Sequence, residues 1–265
     1  MSIRRHLLTL RLSGQLNMPT APQIDAPVSL GSFFPPDSDE EEETELDQCF
    51  ETQDVTLADK TLQVRQFAYH SHNANRVWPG TFNLTDHLFE RDDDGKLKHK
   101  WGSILELGTA TGLLAIRLAM SSSLHSTEEA DDVICSSIVT SDYEDDEVES
   151  HVRHNFEING FEAEKIPIHV PHTWGTGWMG CASKKGIGEQ TFDTIVASDI
   201  LLYVSAYPAL VETLLELMNS PQSKLVMSWN RRMKESSEFF DRMKDAGFEC
   251  VHIGKCVYVF TLKSK

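Results

Sequence analysis

Apolar residues recur along this chain at two spacings, and the alternation between them outlines the fold. Ser103–Gly108 is a short apolar run of the kind that forms a buried strand, and Gly112–Met120 follows at helical spacing. The alternation continues. Ile138–Asp142 reads as a strand, and Asp145–Ile158 as a helix with Val148, Val152 and Phe156 on one face. Ile166–Val170 and Phe192–Asp199 read as the next two strands. Ala206–Met218 is an amphipathic helix bearing Leu210, Leu214 and Leu217. Lys224–Trp229 is a strand and Glu235–Ala246 a helix. Phe248–Ile253 and Val257–Leu262 then form two strands joined only by Gly254-Lys255-Cys256.

Alternating strands and helices imply a parallel sheet covered on both faces. A parallel crossover needs about a dozen residues or more, so the last two strands must run antiparallel. The fold expected is α/β, a Rossmann-like three-layer sandwich whose mostly parallel, seven-stranded sheet ends in an antiparallel hairpin. Upstream, partial period-two spacing over 52–69 predicts a short strand pair. Trp78-Pro79-Gly80 leads into a helix over Thr81–Glu90, and the charged residues 91–100 read as a loop. Two inserts interrupt the alternation. Residues 121–137 read as solvent-exposed padding. The glycine-rich 175–190 reads as padding or a mobile flap at the binding side of the third strand.

Composition separates the chain into two parts. Residues 1–48 carry Pro19, Pro22, Pro27, Pro35 and Pro36, and eight of the eleven residues Asp37–Asp47 are acidic. This predicts a disordered N-terminal segment, with 49–265 as the globular domain. Arg4, Arg5 and Arg11 among leucines resemble a weak organellar transit peptide, with a disordered basic tail as the other reading.

The net charge of −17 argues against a nucleic-acid surface, which must neutralise phosphates with cations. Cys49, Cys135, Cys181, Cys250 and Cys256 are scattered, and no CxxC pair occurs. They fit a reducing, cytoplasmic setting, with the nucleus as a second compartment, and no run is apolar enough to span a membrane. The eleven histidines show no HxxxH or clustered spacing, so no metal is expected.

The densest chemistry lies in Ile104-Leu105-Glu106-Leu107-Gly108-Thr109-Ala110-Thr111-Gly112-Leu113. An apolar strand ends in an acid, and a turn of small residues then lets a ligand approach the backbone. A dinucleotide fingerprint starting at Gly108 would need glycines at 110 and 113, where Ala110 and Leu113 stand. Glu106 would oppose a pyrophosphate but favour a cationic ligand such as S-adenosylmethionine, which carries a sulfonium and an ammonium. Asp142, ending the second strand, can accept from both ribose hydroxyls of an adenosine ligand, or else cap the following helix.

These residues, together with Trp78-Pro79-Gly80, Arg153–Gly160 (RHNFEING), Thr173-Trp174-Gly175 and Val196–Tyr203, resemble the class I, seven-strand methyltransferases. Over roughly residues 75–263 the sequence is similar to the family-16 methyltransferases, many of which methylate lysines in other proteins. The resemblance implies S-adenosylmethionine as cofactor and a protein as substrate. Trp78 would border the cofactor, and Gly108, Thr109 and Ala110 would lie along it, with Gly112 opening the helix behind. Asp142 would hold the ribose, Trp174 would pack near the adenine, and Ser198 would line the pocket. Asp199 matches the family's acidic position, where a carboxylate would orient an amine. The aromatic expected three residues later is Leu202, and Tyr203 comes one residue late. Trp229-Asn230-Arg231-Arg232 offers cations on the same side of the sheet.

The reading that follows is protein-lysine N-methylation by a monomer. Its alternatives are another acceptor (a protein histidine, a small amine, a nucleic-acid base), a nicotinamide-dependent oxidoreductase, and a non-catalytic module retaining the fold.

Overall fold

The computed structural model describes residues 50–123, 133–229 and 233–263. The expected N-terminal segment 1–48, the middle of the first insert, and Asn230, Arg231 and Arg232 lie outside the described residues.

The strand pair is the hairpin β1 (Phe50–Leu57) and β2 (Lys60–Phe67), which pair in antiparallel register with Val55 opposite Leu62. Its two-residue turn, Ala58-Asp59, takes positive φ at both positions, the backbone twist that tight hairpins need. Helix α1 (Pro79–Leu88) begins two residues earlier than the apolar spacing implied, because Pro79 occupies its first position, where a missing N–H costs nothing.

The main sheet contains β3 (Ser103–Leu107), β4 (Ser137–Asp142), β5 (His169–Pro171), β6 (Thr194–Ser198), β7 (Lys224–Ser228), β8 (Phe248–Gly254) and β9 (Val257–Leu262). Its order is β5-β4-β3-β6-β7-β9-β8. The first five of these strands pair in parallel, and β9 lies antiparallel between β7 and β8. The helices are α2 (Leu113–Met120), α3 (Asp146–Ile158), α4 (Trp178–Lys184), α5 (Tyr207–Leu217) and α6 (Ser237–Asp245). One core cluster joins α2, α3, the hairpin and one sheet face through Leu62, Val64, Ile116 and Phe156. The other joins α4, α5 and α6 to the opposite face through Trp178, Leu210, Leu214 and Phe239. The order in which strands are added to the sheet reverses between β3 and β6, and in such sheets ligands sit outside the carboxyl ends of the strands at that point.

Three sequence expectations need correction. The third strand is shorter and later than Ile166–Val170: a 3-10 turn at Ala163–Lys165 and Pro167 delay pairing until Thr140 meets His169, and Ile168 is exposed. Residues 175–190 are not a plain glycine flap. They contain α4, held by buried Trp178 and Ala182, and Glu216 accepts from the backbone N–H groups of Trp178 (2.9 Å) and Met179 (3.1 Å). The first insert is not padding at its descending end, where Ile134 and Cys135 are buried and Cys135 bridges to Ser122.

Candidate functional site

The site starts from the turn after β3. Gly108 has φ 75° and Gly112 has φ 78°, a left-handed region that glycine enters without a steric penalty. Gly108 is also fixed by space, since a Cβ there would stand 2.6 Å from Ile200 Cγ2. Ala110 occupies the same left-handed region at φ 48°, so the alanine that breaks the dinucleotide pattern still takes a glycine-like backbone. The N–H groups of Gly108 and Thr109 both donate to the carbonyl of Ser141, which ties the turn to the end of β4.

Two carboxylates converge on this turn from adjacent strands. Glu106, 2% exposed, accepts from Thr109 Oγ1 at 2.6 Å. Burial pushes its carboxyl up to about 8, with the neighbouring Asp142 adding to the rise and the Thr109 bond opposing it. Asp142 accepts from the backbone N–H of Ala110 (2.7 Å) through Oδ2 and from that of Tyr143 (2.7 Å) through Oδ1. Burial raises its carboxyl too, opposed by those two N–H groups. The cap of α3 is Asp145, which accepts from Glu147 N–H at 2.8 Å, so the capping alternative for Asp142 falls to its neighbour.

A narrow cleft opens beside the turn and brings together Trp78, Glu106, Gly108, Thr109, Ala110 and Ser198. Arg76 and Thr81, which the sequence reading did not single out, line it as well. The Arg76 guanidinium lies 4.7 Å over the Trp78 ring, and Thr81 Oγ1 lies 3.1 Å from Ser198 Oγ across the mouth. Gly112 caps α2 just behind. Trp174 does not line this cleft. It is half-buried against the α4–α5 core, where the adjacent Gly175 N–H donates to Thr213 Oγ1.

The acidic residue after β6 has a different setting. Asp199 is 3% exposed, with φ 51°, and its Oδ2 accepts from Gly80 N–H at 2.5 Å, in the first turn of α1. A Cβ on Gly80 would stand 2.7 Å from that oxygen. The carboxylate expected to orient an amine therefore holds the N-terminus of α1, where the helix dipole favours negative charge. Tyr203 is 43% exposed. Its hydroxyl accepts from Asn73 Nδ2 and donates to the Ser71 carbonyl at 3.4 Å.

Other contacts here were invisible in sequence. Asn155 and Asn159, within the RHNFEING stretch, act as a substitute strand edge for β2. Asn155 Oδ1 accepts from Arg65 N–H (2.8 Å), and its Nδ2 donates to the carbonyls of Arg65 and Thr111. Asn159 brackets Gln63 in the same way. Helix-compatible asparagines gave no signal of this, though a paired Asn at i and i+4 on one face was available to read.

The histidines do cluster: ligand atoms of His70, His72 and Asp145 lie within 4.8 Å of one another. The short His70-Ser71-His72 spacing was the overlooked signal. His70 Nδ1 accepts from the N–H groups of His72 (3.2 Å) and Ala74 (3.4 Å), which leaves the hydrogen on Nε2, 3.3 Å from Asp145 Oδ2.

Adjacent strand-end carboxylates and a turn of small residues fit a ligand with a ribose and a cation. A model of the lysine methyltransferase family matches residues 56–246. The protein-lysine N-methyltransferase EFM3 of Chaetomium thermophilum is 28% identical over 166 residues, covering 62% of this chain and 45% of that protein. The protein N-terminal and lysine N-methyltransferase EFM7 of Cryptococcus neoformans is 25% identical over 167 residues, covering 62% and 50%. The chain thus spans about half the length of the curated relatives it matches. Among solved structures, the Thermus thermophilus 16S rRNA methyltransferase RsmC in complex with AdoMet and guanosine aligns with TM-score 0.49 at 15% identity, covering 81% of this chain and 51% of that one. The SAH-bound Podospora anserina methyltransferase PaMTH1 aligns with TM-score 0.44 at 14% identity, covering 69% and 79%.

Proposed function

The chain belongs to the lysine methyltransferase family, and on that footing we propose that it transfers a methyl group from S-adenosylmethionine to a lysine side chain of another protein. The observation that carries this reading is the convergence of Glu106 and Asp142 on one glycine turn. Asp142 would exchange its bond to the Ala110 N–H for the ribose hydroxyls. Glu106 would face the cationic amino-acid portion, and Gly108, Thr109 and Ala110 would lie along it. Trp78 and Ser198 would form the opposite wall. Trp174 would reach the adenine only from its place on the α4–α5 side. When bound, the cofactor supplies a methyl group on a sulfonium, and transfer needs an acceptor lone pair in line with it. The chain's part is therefore to aim the amine and exclude water. Asp199 would contribute by fixing α1, and with it Trp78, rather than by touching the amine.

An N-terminal α-amine is the same chemical class of acceptor, and the printed name of the Cryptococcus relative includes it. We place the reaction in the cytoplasm, on a monomer acting on protein. The charge of −17 supports a basic protein partner over a nucleic acid. Among the described residues no helix is long and apolar enough to cross a membrane.

The test is calorimetric titration with S-adenosylmethionine, with NAD in a parallel cell. Micromolar binding of S-adenosylmethionine alone is expected. Absence of binding, or binding of NAD instead, overturns the reading. Peptides with a lysine, a free N-terminus or a histidine as the single acceptor then separate the acceptor classes.

A further inference from the structure

The segment between β2 and α1 forms a strap past the carboxyl ends of β4 and β6, and its residues 70–73 are tied to the loops that follow both strands. On the β4 side, the His72 ring stacks on Tyr143 with centroids 3.8 Å apart and planes 18° apart. His70 Nε2 lies 3.3 Å from Asp145 Oδ2. On the β6 side, Asn73 Nδ2 donates to the Tyr203 hydroxyl, which in turn donates to the Ser71 carbonyl. The Asn73 carbonyl between these ties accepts from Trp78 Nε1 at 3.0 Å. Asn73 itself sits at φ 61°, a left-handed conformation that asparagine tolerates better than most residues. The strap then delivers Arg76 and Trp78 to the wall of the cleft.

We propose that Tyr203 is a positioning residue for the cofactor: its hydroxyl clamps Asn73 and so fixes the strap that places Trp78 and Arg76 along the cleft. This rests on the methyltransferase reading above and assigns Tyr203 a role other than the aromatic wall of an acceptor channel. The displacement of the aromatic from position 202 to 203 acquires a physical reason. At 203 the phenol reaches the strap, whereas Leu202 packs against the α5-side core. The indole of Trp78 is held through a chain of two hydrogen bonds, Trp78 to Asn73 to Tyr203, so loss of one phenolic oxygen loosens a ring that never touches it.

The experiment compares the full chain with Tyr203→Phe, Asn73→Gly and the double variant. Glycine keeps the left-handed backbone at 73 accessible while removing the amide. Two readouts are taken: amide hydrogen exchange over residues 70–77, and S-adenosylmethionine affinity by calorimetry. Each single variant is expected to speed exchange in the strap and to weaken the affinity about tenfold, the scale of one or two lost hydrogen bonds. The double variant should be no worse than the poorer single one, because both break the same clamp. Asn73→Asp, which can accept from the phenol, should retain most of the affinity. Unchanged exchange and affinity in Tyr203→Phe overturn the clamp. Additive losses in the double variant also overturn it. Wild-type protein that binds no S-adenosylmethionine overturns the methyltransferase reading itself, and the cofactor role of the strap falls with it.

Discussion

Two carboxylates at strand ends on either side of the cleft use the same device in different surroundings. At the β4 end, Asp142 reaches from a strand terminus to a backbone N–H of the neighbouring turn. At the β6 end, Asp199 does the same toward α1. The bond lengths are similar, but the surroundings differ. Asp142 is only partly covered and adjoins Glu106 beside the cleft, which on the proposed reading would let a ligand hydroxyl replace its partner. Asp199 is 3% exposed and faces a helix N-terminus with no room for a Cβ between them. A carboxylate at a strand end is therefore not diagnostic of ligand binding. What decides its role is whether a mobile partner can reach it.

Removing each carboxylate should break the comparison most sharply. Asp142→Ala is expected to weaken S-adenosylmethionine binding about a hundredfold, as the loss of two charge-assisted hydrogen bonds implies, with a stability loss of only about 1 kcal/mol because the Ala110 and Tyr143 N–H groups it releases are not fully buried. Calorimetry and urea titration of the same sample check both halves. Asp199→Ala should show the reverse, a loss of about 2 kcal/mol in urea-derived stability from an orphaned Gly80 N–H at the start of α1, and Asn at 199 should recover most of it. A large affinity loss in Asp199→Ala without a stability loss would reassign that residue to the site.

Protonation sharpens the contrast further. Burial raises Glu106 to about 8, so its neutral form dominates at pH 7. The stability tied to that proton is present below the ordinary carboxyl value and is lost as pH rises through about 8. A cationic ligand favours the ionised form, so S-adenosylmethionine affinity should climb with pH until the ligand's own ammonium deprotonates near about pH 8, with protons released on binding. Titrations in buffers of different ionisation enthalpy read that release, and Glu106→Gln should flatten the profile. The smallest effect concerns the turn itself. Ala110 in the left-handed region costs about 1 kcal/mol relative to glycine, so Ala110→Gly should raise the urea-derived stability by that amount while leaving binding intact. A fall in stability would show that the alanine methyl packs favourably.

Much of this was legible without coordinates. Val148, Val152 and Phe156 at helical spacing, and Leu210, Leu214 and Leu217 likewise, announced the helices that cover the sheet. The three residues Gly254-Lys255-Cys256 left an antiparallel hairpin as the one possible ending. Glu106, Gly108 and Asp142 marked the turn on which the two carboxylates converge, because they combine residue type with position at a strand end. The helix α4 was not legible. Seven residues flanked by glycines carry too little periodicity, and what holds that helix is Glu216 on α5, 38 residues away from Trp178.

The sequence by itself determined the layer architecture, the parallel sheet with its antiparallel end, and the small-residue turn that follows β3. Local spacing and residue chemistry are enough for those. Only the tertiary structure decided that Asp199 serves α1, that Trp174 stands off the cleft, that Tyr203 meets Asn73 and Ser71, and that Asn155 and Asn159 grip β2. Those outcomes depend on which backbone donors and acceptors are left open once the elements pack, and partners 90 or 130 residues apart leave no trace in local pattern.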